Sequence, residues 1–196
     1  VTSTVGGIVN FEGHSARETT AVTTGSHSTP AGTVAIDTTG KYYGSRTGDA
    51  QMTSYGFETV ASGSTQGISF TNTLRGVYNP PSVDNQYGLA AGQSTTTTLT
   101  GSITSTTHFT SAFPIPDQVS TTSISSSSTT KFVGTESVSV PAGTYNACKF
   151  EVTSGTSDVT TSWYIVGKGL HVKTTVSGSS PQTIEATSVK LNGAAQ

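Results

Sequence analysis

Hydrophobic and polar residues alternate most clearly in the last third of the chain. One charged residue separates Cys148 from Phe150, and another follows Phe150. This period of two is typical of a strand with one solvated face. Further runs rich in valine, isoleucine and aromatic residues occupy 159–166 and 170–176, between short glycine- and serine-rich segments. The pattern predicts five strands joined by short turns, forming an antiparallel meander over residues 119–191.

The preceding part of the chain has a weaker pattern. Residues 1–118 contain short β-like runs interrupted by glycines, and we expect an irregular β region there. Within it, the threonine-rich stretch 95–107 lies between proline-containing segments and predicts one edge or solvent-facing strand. Because no segment has a convincing helical period, the sequence predicts a single all-β domain over residues 1–196. The expected architecture is an antiparallel sandwich or a curved half-barrel that ends in the meander.

Composition supports a fold made of sheet. The chain contains 39 threonines and 29 serines, and only 10% of its residues are charged, compared with roughly 25% in typical soluble domains. Threonine is β-branched and suits a pleated surface. Long exposed helices usually carry lysine and glutamate on their outer faces, so the shortage of charge argues against them.

Charge and hydropathy exclude two classes of partner. The net charge of −2 and the scattered basic residues give no electrostatic footprint for nucleic acid. No apolar run approaches the roughly 18 residues that a membrane helix needs.

The chain opens at Val1 rather than methionine, which favours a mature form whose signal peptide has been removed. We therefore expect an extracellular or cell-surface location, with the periplasm as the alternative.

The sequence contains no recognisable catalytic or cofactor-binding motif. Its four histidines do not stand at metal-ligand spacing, and none lies in a nucleophile elbow. Cys148 lies on the same predicted strand face as Phe150, so we interpret it as a buried, inert thiol. These observations predict a protein that is not an enzyme and holds no metal or cofactor. Scattered aspartates that converge on calcium remain the alternative.

A resemblance covers about residues 130–191. The run VPAGTYNACK at 140–149, the Trp163-Tyr164 pair and the run GKGLHVK at 167–173 resemble a pattern in exported Gram-negative proteins, many of them predicted lipoproteins. Some related families look like the curved half-barrel of periplasmic lipoprotein carriers, which implies a curved sheet. No lipid-bearing cysteine stands at Val1, so the resemblance does not imply a membrane tether.

The pattern also predicts a core and an assembly segment. We expect Cys148, Phe150 and Trp163 to be buried together in the meander. The first nine residues carry no charge and form a β-like run that is suited to adding a strand to a neighbouring sheet. An edge strand within the same subunit is the alternative. The side chains expected to mediate assembly are those of Val1, Val5, Ile8 and Val9.

Two functions are compatible with these expectations. The first is a non-enzymatic structural subunit of a bacterial extracellular fibre or surface layer, which assembles by β-strand addition. Its basis is the combination of export, abundant serine and threonine, and only six lysines to protect sheet edges. The alternative is a soluble envelope protein that binds an apolar ligand or lipid in a curved sheet. Self-association is the expected partnership in the first case, and an apolar ligand in the second.

Overall fold

A computed structural model of the protein describes residues 2–29, 32–65, 68–111, 113–155, 158–178, 181–191 and 194–195. These residues form strands and one short 3-10 helix, Gln86–Gly88. The strands are β1 (Thr2–Phe11), β2 (His14–Thr29), β3 (Gly32–Thr47), β4 (Gln51–Thr65), β5 (Ile68–Asp84), β6 (Ser94–Thr110), β7 (Gln118–Val140), β8 (Gly143–Thr153), β9 (Val159–Ile165), β10 (His171–Ser177), β11 (Gln182–Glu185), β12 (Lys190–Leu191) and β13 (Ala194–Ala195).

The strands β1 to β11 form one antiparallel sheet, in which each strand lies beside the strand that follows it in sequence. Strands β12 and β13 pair separately. The predicted all-β fold is confirmed, and the predicted meander is present as the five neighbouring strands β7 to β11. The predicted end of the meander at residue 191 is wrong. Strand β11 ends at Glu185, and the next residue, Ala186, donates its N–H to the carbonyl of Val172.

The first 118 residues are more regular than the sequence predicted. Their described residues form six strands, of which β2 to β6 are 15 to 17 residues long and β1 is 10 residues long. The threonine-rich stretch is not an edge strand. It lies in β6, which pairs with β5 from Ser69 opposite Thr110 to Tyr78 opposite Gly101, and has β7 on its other side. Threonine tolerates this interior position because its methyl group packs while its hydroxyl finds a polar neighbour.

The described residues divide into two compact units. The first unit comprises those of 1–47, 52–83 and 99–125, and the second those of 48–51, 84–98 and 126–196. Each unit has its own cluster of buried side chains. The expectation of a single domain stays a prediction.

The core of the first unit is small and aromatic. Phe11, Ala16 and Tyr43 are buried together, and Val9 packs against them. The rings of Phe11 and Tyr43 stack with their centroids 4.1 Å apart. A side chain at Gly56 would collide with the ring of Phe11. Position 56 therefore has to be a glycine for this ring to lie against the strand.

The core of the second unit lies on both faces of the meander. One face buries a cluster that includes Trp163 and Val172. On the other face, Phe150 is buried against aromatic neighbours, with ring centroids 5.1 Å away at Phe132 and 6.0 Å away at Tyr164.

The predicted common core of Cys148, Phe150 and Trp163 is therefore wrong in its grouping. Phe150 and Trp163 are buried and Cys148 is half-buried. In the register of β8 and β9, Trp163 lies opposite Lys149, so it shares a face with that lysine. Cys148 and Phe150 flank Lys149 in sequence and point to the opposite face.

Candidate functional site

Strand β1 is the first strand of the sheet, and its outer side has no partner strand among the described residues. Its inner side pairs with β2, from Thr2 opposite Val22 to Phe11 opposite His14. The segment predicted to mediate assembly is thus an edge strand of its own chain. No residue of Thr2–Phe11 carries a charged side chain. Such an edge offers a row of unpaired backbone N–H and C=O groups to another strand.

The four side chains predicted for assembly differ in exposure. Val5 is 66% exposed and Ile8 is 59% exposed. Val9 is half-buried against the cluster of Phe11 and Tyr43, so it belongs to the core of the first unit. Val1 lies outside the described residues. Only Val5 and Ile8 are therefore placed to contact a second molecule.

The glycine pair in β1 forms a bulge. Val5 lies opposite Thr19 and Ile8 lies opposite Arg17, so Gly6 and Gly7 together face one residue of β2. The guanidinium of Arg17 donates a hydrogen bond of 2.8 Å to the carbonyl of Gly6. The glycine pair is thus a hydrogen-bonded irregularity within the strand.

The carboxyl end of β1 is fixed to the body of the unit. Above the stacked ring of Phe11 lies the guanidinium of Arg75, 5.1 Å from the ring centroid. This guanidinium forms ion pairs with Glu12 and Glu58. Glu58 also accepts a hydrogen bond of 2.9 Å from the hydroxyl of Tyr43. Burial, together with this hydrogen bond, raises the pKa of Tyr43 to about 12.

The sequence did not predict that Glu12, Tyr43, Glu58 and Arg75 interact, because these residues come from the β1–β2 turn and from three different strands. Nothing in their spacing along the chain signals that they meet. The carboxylates of Glu12 and Glu58 are both paired with Arg75, and Tyr43 is held in its neutral form. The carboxylates of Glu12 and Glu58 and the phenol of Tyr43 are thus held in one network with Arg75 beside the end of β1.

A partly exposed apolar row begins at the edge strand and crosses the sheet. Thr19 lies opposite Val5 on one side and opposite Tyr42 on the other, so the three share a face. Tyr42 then contacts Phe57, with ring centroids 6.5 Å apart, and Phe57 contacts Tyr78 at 6.3 Å. This row gives the face beside β1 an apolar surface next to the unpaired edge.

In the second unit, the thiol of Cys148 and the imidazole of His171 lie near each other but are too far apart for a hydrogen bond. Cys148 and His171 both lie opposite Tyr164, one on each side of it. Two interstrand spacings separate them by roughly 9.5 Å, too far for a thiol–imidazole hydrogen bond. Burial raises the pKa of Cys148 and lowers that of His171, so each favours its neutral form. This is consistent with the interpretation of an inert thiol.

Within the described part of the chain, no group of three or more histidine, cysteine, aspartate or glutamate side chains is arranged to hold a metal ion. In the same residues, no helix has the length and apolar character needed to cross a membrane. No protein-family model, no curated protein and no solved structure matches this chain.

Proposed function

We propose that the protein is a non-enzymatic structural subunit of an extracellular fibre or surface layer, and that it assembles by adding β1 to the sheet of a neighbouring molecule. The observation that carries the proposal is the combination of an unpaired outer edge on β1, no charge in Thr2–Phe11, and exposed Val5 and Ile8. The scarcity of charge and abundance of serine and threonine support a role outside the cell.

The absence of edge protection supports assembly. Monomeric β-proteins commonly guard an edge strand with charged side chains, especially lysine, or cover it with another element. Strand β1 has neither a charged side chain nor an outer neighbour among the residues described. The bulge at Gly6 and Gly7 interrupts the edge for two residues and leaves regular pairing on either side of it.

The energetics favour addition of a strand that is already ordered. Pairing with β2 and the stacking of Phe11 fix β1 within its own unit. A neighbour therefore does not have to offset the backbone entropy of about 1–2 kcal/mol per residue that ordering a free segment would cost. Covering Val5 and Ile8 would contribute about 1.5–3 kcal/mol each, and each new backbone hydrogen bond about 1 kcal/mol.

The test is the size of the protein in solution after charge is placed on the edge. The double substitution Val5→Lys, Ile8→Lys introduces two ammonium groups at exposed positions and leaves Phe11 and its partners unchanged. We expect the wild type to sediment as polymers and the variant as a monomer. Val60→Lys, which places one ammonium group at an exposed position of the interior strand β4, is the control and should polymerise like the wild type.

Sedimentation velocity with electron microscopy of the same samples measures the outcome. Polymers of unchanged size from the double variant would contradict a role for β1. A wild-type monomer that carries extractable lipid would instead support the apolar-ligand function.

A further inference from the structure

We propose that the first half of β7, residues 118–128, is the edge that receives β1 from a second copy of this chain. The inference rests on the proposed function and identifies the partner surface for the same edge. Each molecule then uses two different edges that lack a partner strand among the described residues, one at β1 and one at the first half of β7.

The open edge at β7 exists because β7 is much longer than the strand beside it. Strand β7 has 23 residues and β8 has 11. The pairing of the two strands begins at Thr129 opposite Thr153 and ends at Val140 opposite Gly143. Among the described residues, no strand lies beside residues 118–128 on that side. On the other side β7 follows β6, where the hydroxyls of Thr104 and Thr121 lie 3.1 Å apart.

The side chains of this segment do not protect it. Between Asp117 and Lys131 the sequence carries no charge. Nearly all of the side chains in residues 118–128 are exposed, including Val119 at 66%. An exposed, uncharged and unpaired strand of this length is a template for strand addition.

The two edges match in length and in chemistry. Strand β1 has ten residues and the open half of β7 has eleven, so each spans roughly 33–36 Å. Pro116 bounds the open half at its start, since proline has no N–H to donate to a ladder, and the Thr129–Thr153 pair bounds it at its end. Neither edge carries charge, so pairing them brings no like charges together. Exposed valine or isoleucine side chains occur on both.

The contact joins two different surfaces, so a single contact leaves one unused edge on each of the two molecules. A second copy that donates β1 still has its own open half of β7, and a third copy can add there. Strands β1 and β7 run in the same direction because six antiparallel steps separate them. If β1 of one copy pairs antiparallel with β7 of the next, the strands of successive copies run in opposite directions. We expect antiparallel pairing because parallel strand pairs are less stable when one face of the sheet is solvated.

Two variants, each blocked at one edge, test the inference. The β1-blocked variant carries Val5→Lys and Ile8→Lys, and the β7-blocked variant carries Val119→Lys and Ser123→Lys. Ser137→Lys lies in the half of β7 that pairs with β8 and is the matched control. We expect each blocked variant alone to be a monomer and the control to polymerise like the wild type. An equimolar mixture of the blocked variants should form a one-to-one dimer, because each supplies the edge that the other lacks.

Sedimentation velocity measures all of these species, after far-UV circular dichroism and Trp163 fluorescence have shown that each variant is folded. A β7-blocked variant that polymerises like the wild type overturns the inference. So does a β7-blocked variant that forms dimers with itself, since β1 would then pair with β1, and the proposed function would survive. A mixture that stays monomeric also overturns it. Unchanged polymers from the β1-blocked variant overturn the proposed function and the inference together.

Discussion

Trp163 is held by its neighbours across the sheet as well as by the core beneath it. It lies opposite Lys149 on β8 and Lys173 on β10, whose ammonium nitrogens are 5.5 and 5.8 Å from the indole ring. The indole N–H donates a 2.7 Å hydrogen bond to Glu136. Both lysines also form ion pairs, with Glu136 and Glu185 respectively. The indole therefore links four strands of the second unit through one side chain.

Truncation of this side chain should destabilise the protein strongly. Trp163→Ala leaves a cavity beside Val172 and should lower the free energy of unfolding by about 3–5 kcal/mol. Phe113→Ala removes an aromatic ring that is 81% exposed and is the control, with an expected change within about 0.5 kcal/mol. Urea titration of both variants measures the difference. Equal losses would show that the indole does not form part of a packed core.

Tyr43 should make stability fall in alkaline solution. Its pKa is about 12 in the folded protein and 10.0 for the ordinary side chain, so the folded state retains a proton that the unfolded state loses. Stability is therefore unaffected by this group below pH 10 and decreases as the pH rises from 10 towards 12. Tyr43→Phe removes this dependence.

The measurement is the midpoint of urea unfolding of wild type and Tyr43→Phe at several pH values between 8 and 11.5. Other tyrosines with raised pKa values, Tyr78 and Tyr164, are present in both proteins and cancel in the comparison. Parallel curves above pH 10 would mean that the phenol of Tyr43 titrates at its ordinary pKa.

At this scale the sequence predicted burial better than it predicted grouping. Hydrophobicity alone indicated that Phe150 and Trp163 are buried, and the alternation around Lys149 placed Cys148 and Phe150 on one face. The face of the next strand depends on register, and the turn between β8 and β9 sets that register. A one-residue change in this turn would have moved Trp163 to the other face.

At the scale of elements, the two halves of β7 provide a comparison within one strand. Residues 129–140 pair with β8, whereas no strand among the described residues lies on that side of residues 118–128. In a strand paired on one side, about half of the amide N–H groups face solvent and exchange readily. In a monomeric variant we expect slow hydrogen exchange for the amides of residues 129–140 that face β8, and fast exchange for the amides of residues 118–128 that face the same side.

Assembly should remove this difference. In polymers of the wild type, the fast amides of residues 118–128 and of the outer side of β1 should become protected, while the second half of β7 stays unchanged. Hydrogen exchange measured by mass spectrometry on the monomeric β1-blocked variant and on wild-type polymers gives the comparison. Continued fast exchange of these amides in the polymer would exclude their participation in the interface.

The sequence predicted the meander at this scale because its strands alternate and its turns contain glycine and proline. It did not predict that β6 is an interior strand. A threonine-rich strand has the same polar appearance in either position, since each threonine presents a methyl group and a hydroxyl group. The open half of β7 was not predicted either, because it depends on a difference between the lengths of two neighbouring strands.

For the molecule as a whole, charged residues are scarce. Nine hydrophobic side chains are buried in the described residues, and the whole sequence carries 20 charged residues in 196. Paired charges lie just outside the two edges, at Glu12 after β1 and at Asp117 before residues 118–128, but neither edge itself carries a charged side chain. Assembly through uncharged edges should therefore depend little on ionic strength.

We expect the critical concentration for polymerisation to change by less than about threefold between 50 and 500 mM sodium chloride, because screening acts on charged groups. Light scattering over a dilution series at each salt concentration measures it. A large rise in critical concentration with salt would indicate that ion pairs between subunits, rather than uncharged strands, hold the polymer together.

The meander order of the sheet also bears on how the chain reaches its folded state. Each strand pairs only with the strands before and after it in sequence, so every pairing closes a hairpin rather than a long crossover. The loop entropy lost before each pairing is small, and the first hairpins can form without waiting for distant parts of the chain. This strand order allows the sheet to grow by one neighbouring strand at a time. The step that would join two molecules, docking one more strand on an open edge, is thus of the same kind as a step that the topology allows within one molecule.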